Sequence, residues 1–276
     1  MNTSKVRAAA EKLVYQANFA LSKDVLSLLH KAMASETNPM AKKALAWIVE
    51  NAAVASMEKT AICQDTGLPV IFIKAGGTAK ISREFIEAVE DGVAAGYEKN
   101  YLRPSIVDPL ERGKSFYKGA SVHVEFCSGL QGVRIFLMPK GFGSENKSKL
   151  KMFYPTASFE DIEKFIVDSV AQAGPESCPP FVIGVGIGST ADGALVLAKE
   201  ALFEDLSKTN PNRLLAEMEA RLLGKINALG IGPMGYGGKT TALAVKILKS
   251  PTHIAGLPVG VNISCHALRK ASVDFV

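Results

Sequence analysis

The sequence predicts a mixed α/β fold, in which a helical N-terminal segment is followed by mixed β-sheets flanked by helices. Residues 4–33 and 38–57 place apolar side chains at three- and four-residue spacing with few breakers, as amphipathic helices do. Short apolar runs of strand length begin at Leu68 and recur as far as Ile263. Helical patterns separate several of these runs, which favours an α/β or α+β arrangement with mixed sheets.

The individual elements follow from local patterns. Strands are predicted at residues 68–74, 120–126, 132–139, 181–187, 241–248 and 256–263, and helices at residues 82–98, 157–173, about 192–203, and 211–229. The pair Ser128-Gly129 favours a β-hairpin between the second and third strands, although the loop is longer than two residues. Ser158 or Asp161 is expected to cap the helix at 157–173.

The domain organisation is expected to be simple. The chain has 276 residues, 47% of them hydrophobic, which is enough apolar mass for one large domain or two lobes. No internal repeat or low-complexity linker interrupts it. We therefore expect a single domain over residues 1–276, with a division into two lobes near residue 155 left open.

The charge pattern argues against a nucleic-acid partner. The net charge is +5, and the basic residues are scattered apart from a local run between Lys140 and Lys151. This pattern fits a small anionic substrate better than a polyanion. No apolar stretch approaches the roughly 20 residues of a membrane span, and the polar start lacks the apolar core of a signal peptide. We expect a cytoplasmic protein without a membrane segment.

The four cysteines are too few for a disulfide scaffold. Cys63 and Cys178 each lie in a loop just before a predicted strand, and Cys265 ends the last predicted strand. Cys127 ends a hairpin strand and lacks such surroundings. Small buried residues are one interpretation, and the local spacing for zinc is missing. Three thiols could instead hold three corners of a [4Fe–4S] cluster and leave one iron open, but their spacing alone does not decide this.

Two glycine-rich segments resemble nucleotide-binding motifs only in part. Gly238-Lys239-Thr240 lacks the glycine that a P-loop needs five positions earlier, where Pro233 stands. The glycines at 184, 186 and 188 lack the third fingerprint glycine, where Ser189 stands. We interpret both segments as loops that permit close backbone packing. A nucleotide-binding module without a cluster is the alternative of a different class.

Several longer segments resemble one family. They occur in family order, from about residue 8 to the C-terminus, and they resemble class I fumarases and the related iron–sulfur L-tartrate dehydratases. The matching segments are Ile62-Cys63-Gln64-Asp65-Thr66-Gly67, the loop from Lys140 to Lys147, Cys178-Pro179-Pro180, the glycine-rich run from Gly230 to Gly238, His253-Ile254-Ala255, and Val261 to Ala267.

The resemblance implies a hydro-lyase that hydrates fumarate reversibly to (S)-malate, with L(+)-tartrate dehydratase as the alternative. It implies that Cys63, Cys178 and Cys265 ligate a [4Fe–4S] cluster, with Cys127 a non-ligand, and that the open iron acts as a Lewis acid. Full-length members continue beyond the position of Val276. We therefore expect a separate β subunit that carries further catalytic groups, including the general base, in an α2β2 hetero-oligomer.

The resemblance also implies the residues that contact substrate. Asp65 is the candidate proton-transfer group, although an Asx turn at Asp65-Thr66-Gly67 is the alternative. A surface role is the alternative for Arg103, and a flexible turn for the loop that begins at Gly141. The substrate-binding candidates are Gln64, Asp65, Arg103, Gly141, Gly143, Ser144, Asn146, Lys147 and His253.

Overall fold

The computed structural model describes residues 2–275 and confirms the mixed α/β fold. The helices are α1 (Thr3–Phe19), α2 (Lys23–Ser35), α3 (Pro39–Glu58), α4 (Arg83–Lys99), α5 (Phe142–Glu145), α6 (Phe159–Ala173), α7 (Ala191–Glu200) and α8 (Arg213–Asn227). The strands are β1 (Leu68–Gly76), β2 (Ser121–Cys127), β3 (Val133–Lys140), β4 (Lys149–Phe153), β5 (Phe181–Ser189), β6 (Ala242–Thr252), β7 (Leu257–Ser264) and β8 (Ala271–Phe275).

The chain forms two compact units, each assembled from separate stretches of sequence. Unit 1 consists of Ala52–Phe142 with the N-terminal stretch as far as Ser22 and the C-terminal stretch from Arg269. Unit 2 consists of Lys23–Asn51 and Gly143–Leu268. The single domain expected from the sequence stays a prediction. None of the helices in residues 2–275 is long and apolar enough to cross a membrane.

Unit 1 is built on a four-stranded sheet of order β2-β1-β3-β8. Strand β1 runs parallel to β2 and antiparallel to β3, and β3 runs antiparallel to β8. One face of the sheet packs against α1 and α4 through fully buried side chains such as Ile71, Ile135 and Leu137. Because α1 and α4 cover that face, their apolar stripes and the strands form one core.

The predicted hairpin between the second and third strands was wrong. The strands exist, but β1 lies between them in the sheet. Most residues of β1 are buried, whereas β2 is half-exposed and forms an edge. The connection from β2 to β3 crosses the end of β1, where a Cβ on Gly76 would lie 2.1 Å from the carbonyl oxygen of Leu130. Glycine at this position therefore permits the crossing.

Unit 2 is built on a second four-stranded sheet, of order β4-β7-β5-β6. Helices α6 and α8 pack on it through Ile166, Val170 and Leu222, which are fully buried. Helix α7 packs so closely that a Cβ on Gly184 or Gly186 would lie 2.0 or 2.1 Å from carbonyl oxygens of α7. These glycines lie inside β5 and not in a loop as interpreted, but they do permit close backbone packing as the sequence predicted.

At one end of the second sheet, each of the four strands begins or ends. Strand β7 is antiparallel to β4 and β5, and β6 is parallel to β5. The end of β7 at Ser264 therefore pairs with Val182 near the start of β5, while Phe181 pairs with Ala242 at the start of β6. At this end lie the loops before β4, β5 and β6 and the segment after β7. We call this end of the sheet the cysteine edge.

Other boundaries differ modestly from the prediction. The helix expected over residues 4–33 is two helices, since α1 ends at Phe19 and α2 begins at Lys23. Strands β4 and β8 were not predicted. At α6 both candidate caps are correct, because Ser158 is the N-cap and Asp161 completes a reciprocal capping box.

Candidate active site

The loop that carries Cys63 leads from α3 into β1 in unit 1. The backbone N–H of Ile62 donates to the carbonyl oxygen of Asn18 at 3.0 Å, which fixes the start of the loop. Cys63 is half-buried and Gln64 is exposed. The Cys63 Sγ lies 3.6 Å from Gln64 Oε1, so this thiol and this amide share one side of the loop.

Asp65 is bound through both of its carboxylate oxygens. Oδ1 accepts a hydrogen bond from the N–H of Gly67 at 3.0 Å, which is the Asx turn that the sequence allowed. Oδ2 accepts from the N–H of Phe142 at 2.9 Å. A Cβ on Gly141 would lie only 3.1 Å from Oδ2. The structure thus brings Asp65 against Gly141, as the candidate site requires.

The backbone at Gly67 requires a residue without a side chain. Its φ is +75°, and a Cβ there would lie 2.7 Å from the carbonyl carbon of Pro139. Only glycine combines the left-handed backbone with this contact. The loop end is therefore packed directly on the end of β3, next to the segment that begins at Gly141.

Arg103 lies beside the same loop. Its backbone N–H donates to Thr66 Oγ1 at 3.1 Å, and its side chain is exposed. An exposed guanidinium anchored by its backbone can bind a carboxylate in a bidentate manner. Its role in substrate binding stays a prediction.

Cys178 and Cys265 lie at the cysteine edge of unit 2. Cys178 adopts a left-handed backbone (φ 56°, ψ 66°) between a short 3-10 turn and β5. Cys265 directly follows β7. The residue after it, His266, donates its backbone N–H to the carbonyl oxygen of Cys178 at 3.2 Å, and its Nδ1 lies 3.0 Å from the same oxygen. The structure therefore joins the segments of two of the three candidate ligands.

The loop before β4 reaches the segment that precedes Cys178. Ser177 Oγ donates to the carbonyl oxygen of Gly143 at 3.1 Å, and Lys147 Nζ lies 2.6 Å from Glu176 Oε2. Ser144 is buried, and Asn146 is exposed. Gly143 and Lys147 thus contact the two residues that precede Cys178.

Glu145 was missed by the sequence analysis, although it lies among the candidates. Its Oε1 lies 2.6 Å from Lys199 Nζ on α7, and its Oε2 accepts from Asn262 Nδ2 at 2.9 Å. Both side chains of the ion pair are mostly buried. Glu145 therefore ties the loop to α7 and to β7. The one available signal was an acidic residue within a basic run.

His253 lies at the end of the second sheet opposite the cysteine edge. It is exposed, in the turn that joins β6 to β7, and its Nδ1 accepts from the N–H of Ala255 at 3.1 Å. The eight residues of β7 separate it from Cys265, a span of roughly 26 Å at about 3.3 Å per residue. Within unit 2 the structure does not bring His253 to the cysteine edge, so its role in substrate binding stays a prediction.

The glycine-rich run before β6 contacts the carboxylate of Glu36. Glu36 accepts a hydrogen bond from the N–H of Lys239 at 2.8 Å, and a Cβ on Gly238 would lie 2.7 Å from the same carboxylate oxygen. The run leads into a strand, whereas a P-loop leads into a helix. Its backbone groups are therefore used for packing, which removes the basis for a phosphate-binding interpretation.

The donor chemistry of the three cysteines suits an iron–sulfur cluster. Each is half-buried, each lies in a loop or at a strand end, and none of the four cysteines forms a disulfide. Thiolates of this kind are the usual cluster ligands. Among residues 2–275, no group of three or more His, Cys, Asp or Glu side chains is arranged to hold a metal ion. The cluster and its ligand set stay predictions.

Comparison with known proteins identifies the class of enzyme. A family model described as fumarate hydratase (fumerase) matches residues 7–274, almost the whole chain. The chain belongs to this family, and it is a carbon–oxygen hydro-lyase. The resemblance found in the motifs around Cys63, Cys178 and Cys265 is thereby confirmed at the level of the family.

The names of three individual relatives agree with this family assignment. A Methanocaldococcus jannaschii protein, provisionally named L(+)-tartrate dehydratase subunit alpha, is 40% identical over 97% of this chain and 96% of its own length. A Geobacillus stearothermophilus protein, provisionally named fumarate hydratase class I, is 33% identical over 98% of this chain and 54% of its own length. The Escherichia coli K12 L(+)-tartrate dehydratase subunit alpha is 28% identical over 99% of this chain and 94% of its own length.

Proposed function

We propose that this chain is the α subunit of an iron–sulfur hydro-lyase that converts fumarate and (S)-malate into one another. The observation that carries the proposal is the pair of contacts from His266 to the carbonyl oxygen of Cys178. These contacts join the segments of two candidate ligands at one sheet edge, beside the loop of Gly143 and Lys147. Family membership supplies the class of reaction.

The proposed ligands are Cys63, Cys178 and Cys265, with Cys127 excluded. The three thiolates would hold a [4Fe–4S] cluster through three of its irons, and the fourth iron would supply a Lewis acid for the hydroxyl group of the substrate.

The chain's own side chains bind and orient the dicarboxylate in this proposal. The exposed guanidinium of Arg103 binds one carboxylate. Gln64, Gly141 and Gly143 are further proposed substrate contacts. Asp65 holds or accepts a proton close to the reacting carbon, and its two backbone hydrogen bonds fix the direction of its remaining lone pairs.

A β subunit completes the proposed enzyme. Two of the relatives carry the words subunit alpha in their names, and the fumarate hydratase relative is nearly twice the length of the matched region. We propose that a separate chain contributes the remaining substrate contacts and the general base, in an α2β2 assembly. A cytoplasmic location fits thiols that must stay reduced.

Anaerobic reconstitution tests this proposal. The chain is purified without oxygen, alone and together with a candidate β-type subunit, and iron content and fumarate hydration are measured. We expect about four irons per chain, activity only with both chains, and iron loss after Cys63→Ser, Cys178→Ser or Cys265→Ser. Cys127→Ser is the matched control and should keep its iron. Full iron content in the three ligand variants would rule out the ligand set.

A second candidate, L(+)-tartrate dehydration, is favoured by the names of the 40% and 28% identical relatives. The two substrates differ by one hydroxyl group, so the same reaction class serves both. Measuring kcat/KM for (S)-malate, fumarate and L(+)-tartrate on the same α–β preparation separates them. We expect fumarate and (S)-malate to be favoured, and a clear preference for tartrate would assign the second function.

A further inference from the structure

A buried polar cluster lies beneath the loop of Cys63 and Asp65 in unit 1. It consists of Asn18 from α1, Tyr97 from α4 and Arg269, which precedes β8; their relative exposures are 0%, 2% and 3%. Polar groups this deeply buried must be held by partners, because leaving them unpaired is costly. Three segments that are distant in sequence thus bring polar groups to one point, and the proposed function does not use any of them.

Each member of this cluster contacts the loop or another member. Tyr97 Oη donates to the carbonyl oxygen of Thr66 at 2.8 Å and lies 3.3 Å from that of Gly67. The backbone carbonyl of Asn18 accepts from Ile62 N–H at 3.0 Å. The loop is therefore held immediately before Cys63 and immediately after Asp65.

Arg269 is the charged member of the cluster. Its Nη1 donates to Asn18 Oδ1 at 3.2 Å, and its buried Nε has no hydrogen-bond partner among the residues that the structure describes. A Cβ on Gly141 would lie 3.7 Å from Arg269 Nη2 and 3.1 Å from Asp65 Oδ2. Arg269 Nη2 and Asp65 Oδ2 thus both border the space that a side chain at residue 141 would fill, where the carboxylate can partly compensate the positive charge.

We propose that Arg269, supported by Asn18 and Tyr97, is a positioning residue that orients the loop of Cys63, Gln64 and Asp65 for the hydro-lyase reaction. The role of this orientation in catalysis rests on the proposed function. The anchoring of the loop is independent of activity. Arg269 acts on Asp65 through electrostatic attraction beside Gly141, and it acts on the loop backbone through Asn18, whose carbonyl oxygen accepts from Ile62 N–H. Tyr97 holds the other end of the loop.

Hydrogen exchange of the iron-free chain, followed by mass spectrometry, tests the anchoring directly. We expect peptides covering residues 61–67 to exchange about fivefold to tenfold faster in Arg269→Met and in Tyr97→Phe, with most of unit 1 unchanged. Arg134→Met is the matched control, because Arg134 pairs with Asp274 on the exposed face of the same unit. Arg269→Lys should restore part of the protection. Tyr97→Phe keeps the ring, so it decides the question if Arg269→Met does not fold.

Unchanged exchange at residues 61–67 in Tyr97→Phe, or an equal rise across the whole of unit 1, would overturn the proposal. A second measurement uses the iron-loaded α–β enzyme, with kcat expressed per bound iron. We expect kcat per iron to fall about tenfold in Tyr97→Phe while KM changes less than about twofold; an unchanged kcat per iron contradicts the positioning role. If the wild-type enzyme does not interconvert fumarate and (S)-malate, the proposed function fails, and the exchange measurement still decides the anchoring.

Discussion

His266 directs two nitrogens at one acceptor, with its backbone N 3.2 Å and its Nδ1 3.0 Å from the carbonyl oxygen of Cys178. A carbonyl oxygen only accepts, so Nδ1 carries a hydrogen in this contact. The contact links Cys178, before β5, to the residue that follows Cys265, after β7. One residue, His266, therefore helps to set the separation of two proposed ligands through both its backbone and its side chain.

Replacing His266 with phenylalanine should weaken this link without removing it. The variant keeps the backbone hydrogen bond and the ring volume but loses the Nδ1 donor, so we expect a loss of about 1 kcal/mol in unfolding free energy. Iron retention after anaerobic reconstitution should also fall. His253→Phe, at the opposite end of β7, is the control; it loses only an exposed hydrogen bond within a turn and should leave iron retention unchanged. Equal iron retention in the two variants would argue against the link.

Glu36 should make stability depend on pH. Burial raises its pKa, and hydrogen bonds from the N–H groups of Asn38, Lys239 and Thr37 lower it further than burial raises it, so the pKa lies below its usual 4.5. A lowered pKa in the folded state stabilises the fold above the unfolded-state pKa, and this contribution is lost as the pH falls through the folded-state value.

Glu36→Gln should therefore destabilise the chain at pH 7 by roughly 1–3 kcal/mol, the range for hydrogen bonds to a buried charged group. The difference from wild type should shrink as the pH falls below about 4.5. Urea unfolding at a series of pH values measures it. Glu50→Gln, on an exposed position of α3, is the control at pH 7 and should change stability by less than about 0.5 kcal/mol. A pH-independent difference for Glu36→Gln contradicts the prediction.

Local patterns predicted most elements because helical and strand periodicity is carried by neighbouring residues. The run at Leu68 and the capping signal at Ser158 are examples. The pairing of β2 with β3 was wrong because sheet order depends on contacts that are distant in sequence, here the insertion of β1. Strand β4 escaped prediction because four of its five residues are exposed.

Parts of the candidate site could be predicted where both partners of a contact lie within one short motif. The Asx turn at Asp65 is of this kind, because its acceptor and donor lie two residues apart. Glu145 and Arg269 were not predicted, since their partners lie elsewhere in the sequence: Lys199 and Asn262 for the first, and Asn18 for the second. Family motifs contain Glu145 but do not reveal what it binds.

Glu145→Gln should loosen the loop that it ties to α7 and β7. The substitution leaves the mostly buried ammonium group of Lys199 without its counter-charge and weakens the hydrogen bond from Asn262. We expect a loss of roughly 1–3 kcal/mol in unfolding free energy. Glu217→Gln, which breaks the exposed ion pair with Arg213 on α8, is the matched control and should cost less than about 0.5 kcal/mol. Similar losses in both variants would show that the Glu145 network adds little.

Two glycine-to-alanine changes in unit 2 should have opposite effects. A Cβ on Gly186 in β5 would lie 2.1 Å from the carbonyl oxygen of Ala194, so α7 must move away, at a cost of about 3 kcal/mol or more. Gly224 lies in α8, where a Cβ would meet open space, with no neighbouring atom within 4 Å. Gly224→Ala should stabilise the chain by about 0.5–1 kcal/mol, because alanine lowers the entropy of the unfolded chain and favours the helix. Denaturant unfolding measures both changes, and a Gly186→Ala variant as stable as wild type would show that α7 does not pack against β5 at this distance.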